Sequence, residues 1–309
     1  MTDLTEVRQR FESALDRLIC QVKQDHTILA AVLLGSMSHD VVWEKSDIDL
    51  LLITQEGRFR QESLCLTEDD IIIHVFLKTR SEFKRMLGGA TQSSFIHSLL
   101  MKGRILFSRD ETFEELFANR ATIGSYDREI QLLRAATPLL PTLTKAEKWL
   151  YVRKDTDYCF FWTLKAVESL AGIETVLNGE VTGREVLQQA LKFNPELFRV
   201  LYTDLIRAEK TPERMEEALE TIRQYIHERA PVLFRPVFEF LEQAEGIRSA
   251  TEINHHFQNQ RNVENVDSVC EWLADENFIQ KLAVPVRLTE KSRVDVQEAA
   301  YYYDGGSPG

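Results

Sequence analysis

The chain has 309 residues, 44% hydrophobic and 28% charged, with a formal net charge of -12 at pH 7. That length allows two or three domains of ordinary globular composition, and no apolar run approaches the ~20 residues of a membrane-spanning helix. The acidity disfavours broad nucleic-acid binding, which needs a basic stripe to release counterions from phosphates. Met1-Thr2-Asp3-Leu4-Thr5-Glu6 has no signal-peptide pattern. The scattered cysteines Cys20, Cys65, Cys159 and Cys270 form no CxxC pair. Neither a zinc site nor a disulfide framework is therefore expected, and a cytoplasmic location is the default.

In chain order, Val7, Phe11, Leu15, Leu18, Ile19 and Val22 place one apolar stripe on a helix from Leu4 to Lys23. An apolar strand, Ile28 to Leu34, ends at Gly35-Ser36, and a short polar segment of helical character leads to a second strand, Lys45-Ser46-Asp47-Ile48-Asp49-Leu50-Leu51-Leu52-Ile53. Ser63 to Leu66, the turn Thr67-Glu68-Asp69-Asp70 and Ile71 to Lys78 predict an antiparallel hairpin. Ser81 opens a helix; Phe95 to Met101 predicts another, ended by Gly103 before a short strand Arg104–Phe107. Strands mixed with flanking helices indicate an α/β (α+β) domain with a mixed sheet over residues 1–122.

Strand signals then vanish. Ile130, Leu133 and Leu139 lead to Pro141, after which Ala146, Leu150, Tyr151, Tyr158, Phe161, Leu164, Val167 and Leu170 recur at helical spacing. Asn178-Gly179 and Gly183 mark a loop, and helices follow at Val186–Leu191, Glu196–Ala208 and Pro212–Ala230. Residues 123–245 read as an all-helical bundle. Residues 246–303 read as a small winged-helix-like domain: short helices from Ser249 and Val266, then strands Phe278–Leu288 and Val294–Tyr303 around Thr289-Glu290-Lys291-Ser292. Glu264, Asp267, Glu271, Asp275 and Glu276 leave its second helix without a cation, which suits packing or a protein partner rather than DNA. His255-His256 lack companions at zinc spacing. Residues 304–309 have the composition of a disordered tail.

The chemistry gathers at Asp47 and Asp49. Residues i and i+2 of a strand share a face, and two carboxylates so close repel unless a cation lies between them. Oxygen donors of this kind suit Mg2+ completed by substrate phosphates. Glycine at the end of the preceding strand lets backbone approach a phosphate, and the Ser36 hydroxyl with nearby N–H groups can hold phosphate oxygens at a helix start. Gly35, Ser36 and Ser46 are the candidate nucleotide-binding residues.

Gly35-Ser36, ten residues, then Asp47-Ile48-Asp49 resembles the signature of the DNA polymerase β-like nucleotidyltransferase superfamily. The resemblance implies transfer of a nucleoside monophosphate, AMP from ATP, to a hydroxyl of a small-molecule or protein acceptor, with Mg2+ held by Asp47 and Asp49. It also implies a third carboxylate from a neighbouring antiparallel strand. That strand should be Ile71 to Phe76, where His74 is the only polar residue. His74 reads either as a catalytic base or substitute ligand, or as a buried, hydrogen-bonded histidine; Asp69 and Asp70 read as turn residues.

Gly103 to Asp110 and the helices beyond residue 123 are similar to the closing strand and substrate-binding bundle of aminoglycoside-type nucleotidyltransferases. On that likeness Glu147, Lys154, Asp155 and Asp157 are candidates to face the acceptor, against the alternative of a solvated helix face. Trp149, Tyr151, Tyr158, Phe160, Phe161 and Trp162 read mostly as core, with one or two available for stacking. Without a third acid, the alternative function is a catalytically weakened nucleotide-binding regulator that docks a partner through its C-terminal domain.

Overall fold

Val7, Phe11, Ala14, Leu15, Leu18 and Ile19 line one side of helix α1 (Leu4–Val22), and all six are buried. Burying a large apolar side chain stabilises a fold by about 1.5–3 kcal/mol before the entropy of ordering the chain is subtracted. This stripe is therefore what fixes α1 to the sheet. In the computed structural model the described residues are 4–39, 42–59, 61–88, 103–118, 125–180, 182–183, 185–244 and 246–306. The predicted helix at Phe95–Met101 lies outside them. The chain divides into two compact units, Met1–Ile123 and Gly124–Gly309.

The first unit is built on strands β1 (Ile28–Leu34), β2 (Ile48–Thr54), β3 (Ser63–Glu68), β4 (Ile71–Thr79) and β5 (Arg104–Ser108), with helices α2 (Ser36–His39), α3 (Arg80–Gly88) and α4 (Glu111–Ala118). The strands form one mixed sheet in the order β3-β4-β2-β1-β5. β1 is antiparallel to β2 and β5, β2 is parallel to β4, and β3 is antiparallel to β4. One face, carrying Ala31, Leu33, Ile48, Leu50, Leu52, Ile71, Ile73 and Val75, packs with the α1 stripe. The other, carrying Ala30, Val32, Leu34, Leu51 and Ile53, packs with Phe83 of α3 and Phe113 and Phe117 of α4. Coverage on both faces explains why β1 and β2 read as continuous apolar runs rather than alternating ones.

The hairpin turn is tighter than its sequence suggested. β3 continues through Glu68, leaving Asp69 (φ 49) and Asp70 (φ 62) as a two-residue turn. Two successive left-handed residues match the twist of the flanking strands, and Asp tolerates that conformation. Arg17 of α1 pairs with Glu68 at 2.8 Å and with Asp69, tying the hairpin to the helix. Arg109 donates to the carbonyls of Asp25 (2.9 Å) and Ile28 (3.1 Å), which fixes the end of β5 to the start of β1.

The second unit contains α5 (Ser125–Ala136), α6 (Leu139–Glu147), α7 (Thr156–Leu177), α8 (Val186–Phe193), α9 (Pro195–Phe198), α10 (Leu205–Arg207), α11 (Pro212–Leu233) and α12 (Arg235–Gln243). Two π-helical turns, Lys148–Val152 and Arg199–Asp204, interrupt this series. The helical periodicity that runs on from Ala146 to Leu170 is therefore broken. After the first π turn Lys154 is left-handed (φ 55), and the Asp155 carboxylate accepts the Tyr158 N–H at 2.9 Å as the N-cap of α7.

The chain ends with β6 (Arg248–Ser249), α13 (Ala250–Arg261), α14 (Val266–Asp275), β7 (Gln280–Arg287) and β8 (Asp295–Tyr302). Ser249 and Glu252 close a capping box on α13. The strands make an antiparallel sheet in the order β6-β8-β7. The two-residue strand β6 is too short to show any alternation in sequence. One hydrophobic core runs through this unit from Ile130 to Tyr301. Among the described residues no helix is long and apolar enough to cross a membrane.

Candidate functional site

Strand register assembles the site. Leu34, the last residue of β1, lies opposite Asp49 on β2. Asp49 lies opposite His74 on β4, and His74 opposite Cys65 on β3. Registered partners project to the same face of a sheet, so these residues form a row across four strands, on the face that carries Leu51 and Ile53. Asp47, one residue before β2, joins the row: its Oδ2 is 3.5 Å from Nε2 of His74. The Asp47 and His74 side chains are 52% and 41% exposed, so a dissolved ligand can reach both.

The strand bearing His74 is parallel to β2, not antiparallel as the superfamily resemblance implied. The chain leaves β2, forms β3 at the edge of the sheet, and returns as β4 in the gap between them. Two reversals, from β2 to β3 and from β3 to β4, bring β4 back to the direction of β2. This register, rather than a contact legible in the sequence, sets His74 beside Asp49.

Gly35 is required twice over. Its φ is +68, and a Cβ there would overlap Oδ2 of Asp49 and stand 3.2 Å from Cγ and 3.3 Å from Cβ of the same residue. The backbone at Gly35 thus lies against the Asp49 carboxylate and limits where it can turn. The Ser38 N–H and hydroxyl donate to the Gly35 carbonyl at 3.2 and 2.7 Å, fixing the bend from β1 into α2. Ser36 opens α2, and its side chain lies outside what is described.

Ser46 has a positioning role on the other approach. Its hydroxyl accepts the Trp43 N–H at 3.1 Å, and its own N–H donates to the Trp43 carbonyl at 2.9 Å. The turn so closed delivers the chain to Asp47. Trp43 is 54% exposed, and the Lys45 ammonium lies 5.9 Å from its ring centroid.

The donor set fits a hard divalent cation that takes its remaining ligands from elsewhere. Asp47 and Asp49 offer carboxylate oxygens. Among the described residues no group of three or more His, Cys, Asp and Glu side chains is gathered tightly enough to hold a metal alone. A closed structural metal site is not built this way, whereas magnesium shared with a polyphosphate is.

Asp69 and Asp70 belong to the hairpin turn, Asp69 paired with Arg17. In the second unit, Glu147 accepts from Arg223 at 2.7 Å, and Arg223 also reaches the Tyr151 hydroxyl at 3.1 Å. Asp155 caps α7, whose first turn contains Asp157, and Lys154 precedes that cap. Glu147 and Asp155 thus serve the fold of the helical unit. Trp149, Tyr158, Phe161 and Trp162 touch in sequence, with centroids 4.3 Å apart for Trp149–Tyr158, 5.5 Å for Tyr158–Phe161 and 5.7 Å for Phe161–Trp162. His256 packs on Phe240 at 4.2 Å between centroids, and burial lowers its pKa.

Cys65 is the member of the row that sequence reasoning missed. The signal was available: an Asp-Asp pair read as a two-residue turn counts Cys65 into register with His74.

Residues 17–112 match the family described as Polymerase beta, Nucleotidyltransferase. No curated protein matches the chain in sequence. Among solved structures, the chain is similar to a nucleotidyltransferase-like protein from Exiguobacterium sibiricum 255-15. The likeness has a TM-score of 0.63 at 14% identity and covers 94% of this chain and 99% of that one. At that identity it shows the shared fold. The match lies on the mixed sheet and contains Gly35, Asp47, Asp49 and His74, so the N-terminal unit carries a polymerase beta-like nucleotidyltransferase domain at residues 17–112.

Proposed function

We propose that this domain transfers AMP from ATP to a hydroxyl of a small-molecule or protein acceptor, releasing pyrophosphate. The observation that carries the reading is the convergence of Asp47, Asp49 and His74 on one sheet face, with Gly35 against the Asp49 carboxylate. Asp47 and Asp49 would hold Mg2+ shared with the triphosphate, and the ion supplies neutralisation of charge on the phosphate oxygens. Gly35 keeps Asp49 oriented and leaves room for backbone to approach phosphate. His74 would take the acceptor proton at Nδ1, with Nε2–H turned to Asp47, as the new oxygen–phosphorus bond forms and the bond to pyrophosphate breaks. The Asp47 carboxylate, 3.5 Å away, would stabilise the resulting imidazolium.

Incubation of the full chain with magnesium, ATP labelled in its α-phosphate and a panel of hydroxyl acceptors tests this. Label should appear on an acceptor and disappear in Asp47→Asn and Asp49→Asn. Unchanged metal-dependent nucleotide binding in those variants would remove the site. A second reading, a nucleotide-binding regulator without turnover, is favoured by one observation: His74 occupies the position across from Asp49 where the superfamily resemblance implies an acid. Nucleotide binding with no labelled product on any acceptor would select it.

A further inference from the structure

The helical unit carries a cavity of about 570 Å3 between α6 and the connector from α13 to α14. That is within the ~300–1,000 Å3 typical of small-molecule sites. Its wall includes two cations from different helices, Arg134 of α5 and Lys145 of α6, and a single acid, Glu264. In a chain whose net charge is -12 this local excess of positive charge runs against the composition.

The two cations differ in character. The Arg134 guanidinium is half-buried and anchored by Nη2 donating to the Arg261 carbonyl at 2.7 Å; burial lowers its pKa. Lys145 is exposed, its ammonium 4.5 Å from the Trp162 ring centroid. The lining also includes Asn262, Asn265 and Ser268, all with hydrogen-bonding side chains. Asn262 (φ 53) closes α13 and Asn265 (φ 59) opens α14, and the Asn265 side chain makes no capping bond to that helix. An anchored guanidinium, an exposed ammonium and side-chain amides lining one cavity suit a doubly charged tetrahedral anion with several acceptor oxygens. The volume is too large for the anion alone and leaves room for an organic body.

We infer that this cavity binds an organic phosphate monoester, its phosphate held between Arg134 and Lys145 and its body against the Asn262–Ser268 connector. The inference stands independently of the nucleotidyltransfer reading, because every residue it uses lies in the second unit. Occupancy would tie α6 to the α13–α14 connector.

The test uses the full-length Asp47→Asn/Asp49→Asn chain in magnesium-free, low-salt buffer, which removes the nucleotide site from the measurement. Ribose 5-phosphate, AMP and inorganic phosphate are titrated by calorimetry, with hydrogen exchange followed at residues 262–268. A phosphate ester should bind saturably and protect the connector. Lys145→Glu and Arg134→Gln should each weaken it about tenfold or more, the scale of a lost charge-assisted hydrogen bond. If Arg134→Gln does not fold, the exposed Lys145→Glu decides. No saturable binding at millimolar ligand, or binding unchanged in Lys145→Glu, overturns the site. Inorganic phosphate binding as tightly as the esters overturns the organic assignment.

Discussion

Replacing Gly35 by alanine should destabilise the end of β1 and β2 and impair the site together, because one backbone position serves both. At φ +68 an alanine adopts left-handed geometry at a cost of about 1–2 kcal/mol. The new methyl would also overlap the Asp49 carboxylate. Turning the side chain away clears Oδ2 and Cγ, but Cβ of Asp49 stays at 3.3 Å, so the strand end must also give by about a few tenths of an ångström. Overpacking of that kind adds about 1–3 kcal/mol, for a total of roughly 2–5 kcal/mol against a domain stability of about 5–15 kcal/mol. Hydrogen exchange of the β1 and β2 amides reads the loss within this unit, and calorimetry of magnesium–ATP binding reads the displaced carboxylate. The double variant Gly35→Ala/Asp49→Ala should recover about 1–3 kcal/mol, the overpacking share, and leave the backbone share. A loss below about 1 kcal/mol in Gly35→Ala, or no recovery in the double variant, would refute the assignment of that contact.

Further outcomes follow from other contacts. His74→Asp removes the proposed base across from Asp49, so labelled-product turnover should fall; a rise would refute the role given to His74. In the helical unit the Tyr225 hydroxyl donates to the buried Glu174 carboxylate at 2.6 Å, and burial, then this bond, raises the phenol pKa. Tyr225→Phe should cost about 1–3 kcal/mol in denaturant unfolding by stranding Glu174, and Tyr225→Phe/Glu174→Met should regain most of it. The Asp110 pKa is lowered by the Thr112 hydroxyl and further by Arg80. A folded-state pKa below the unfolded value means this stabilisation is present above about pH 4 and lost as pH falls through the folded value. Thr112→Val should therefore open α4 amides faster at neutral pH, with the difference from the parent chain narrowing below pH 4 in hydrogen exchange.

The site holds together through two distances in sequence. Gly35 and Asp49 are brought side by side by the antiparallel β1–β2 pair. His74 arrives through the parallel β2–β4 pair, after the chain has travelled to the sheet edge and back. The first pairing is close in the chain and leaves a motif of fixed spacing; the second leaves none. The same division appears in the second unit. Helical spacing from Ala146 to Leu170 shows an apolar face, yet the π turn at Lys148–Val152 and the Asp155 cap divide the helix. Apolar periodicity reports which side is buried and is insensitive to one inserted turn.

Taken alone, the sequence determined the α1 stripe, the apolar strands, the Gly35 bend and the common face of Asp47 and Asp49. Each of these follows from local geometry: the 3.6-residue helical repeat, the two-residue pleat and the conformational freedom of glycine. Only the tertiary structure decided which strand lies beside which, and so that His74 and Cys65 complete the row, that β4 runs parallel to β2, and that the short β6 joins the terminal sheet. A side chain's face is set by its own backbone, whereas its neighbour is set by pairing between distant segments.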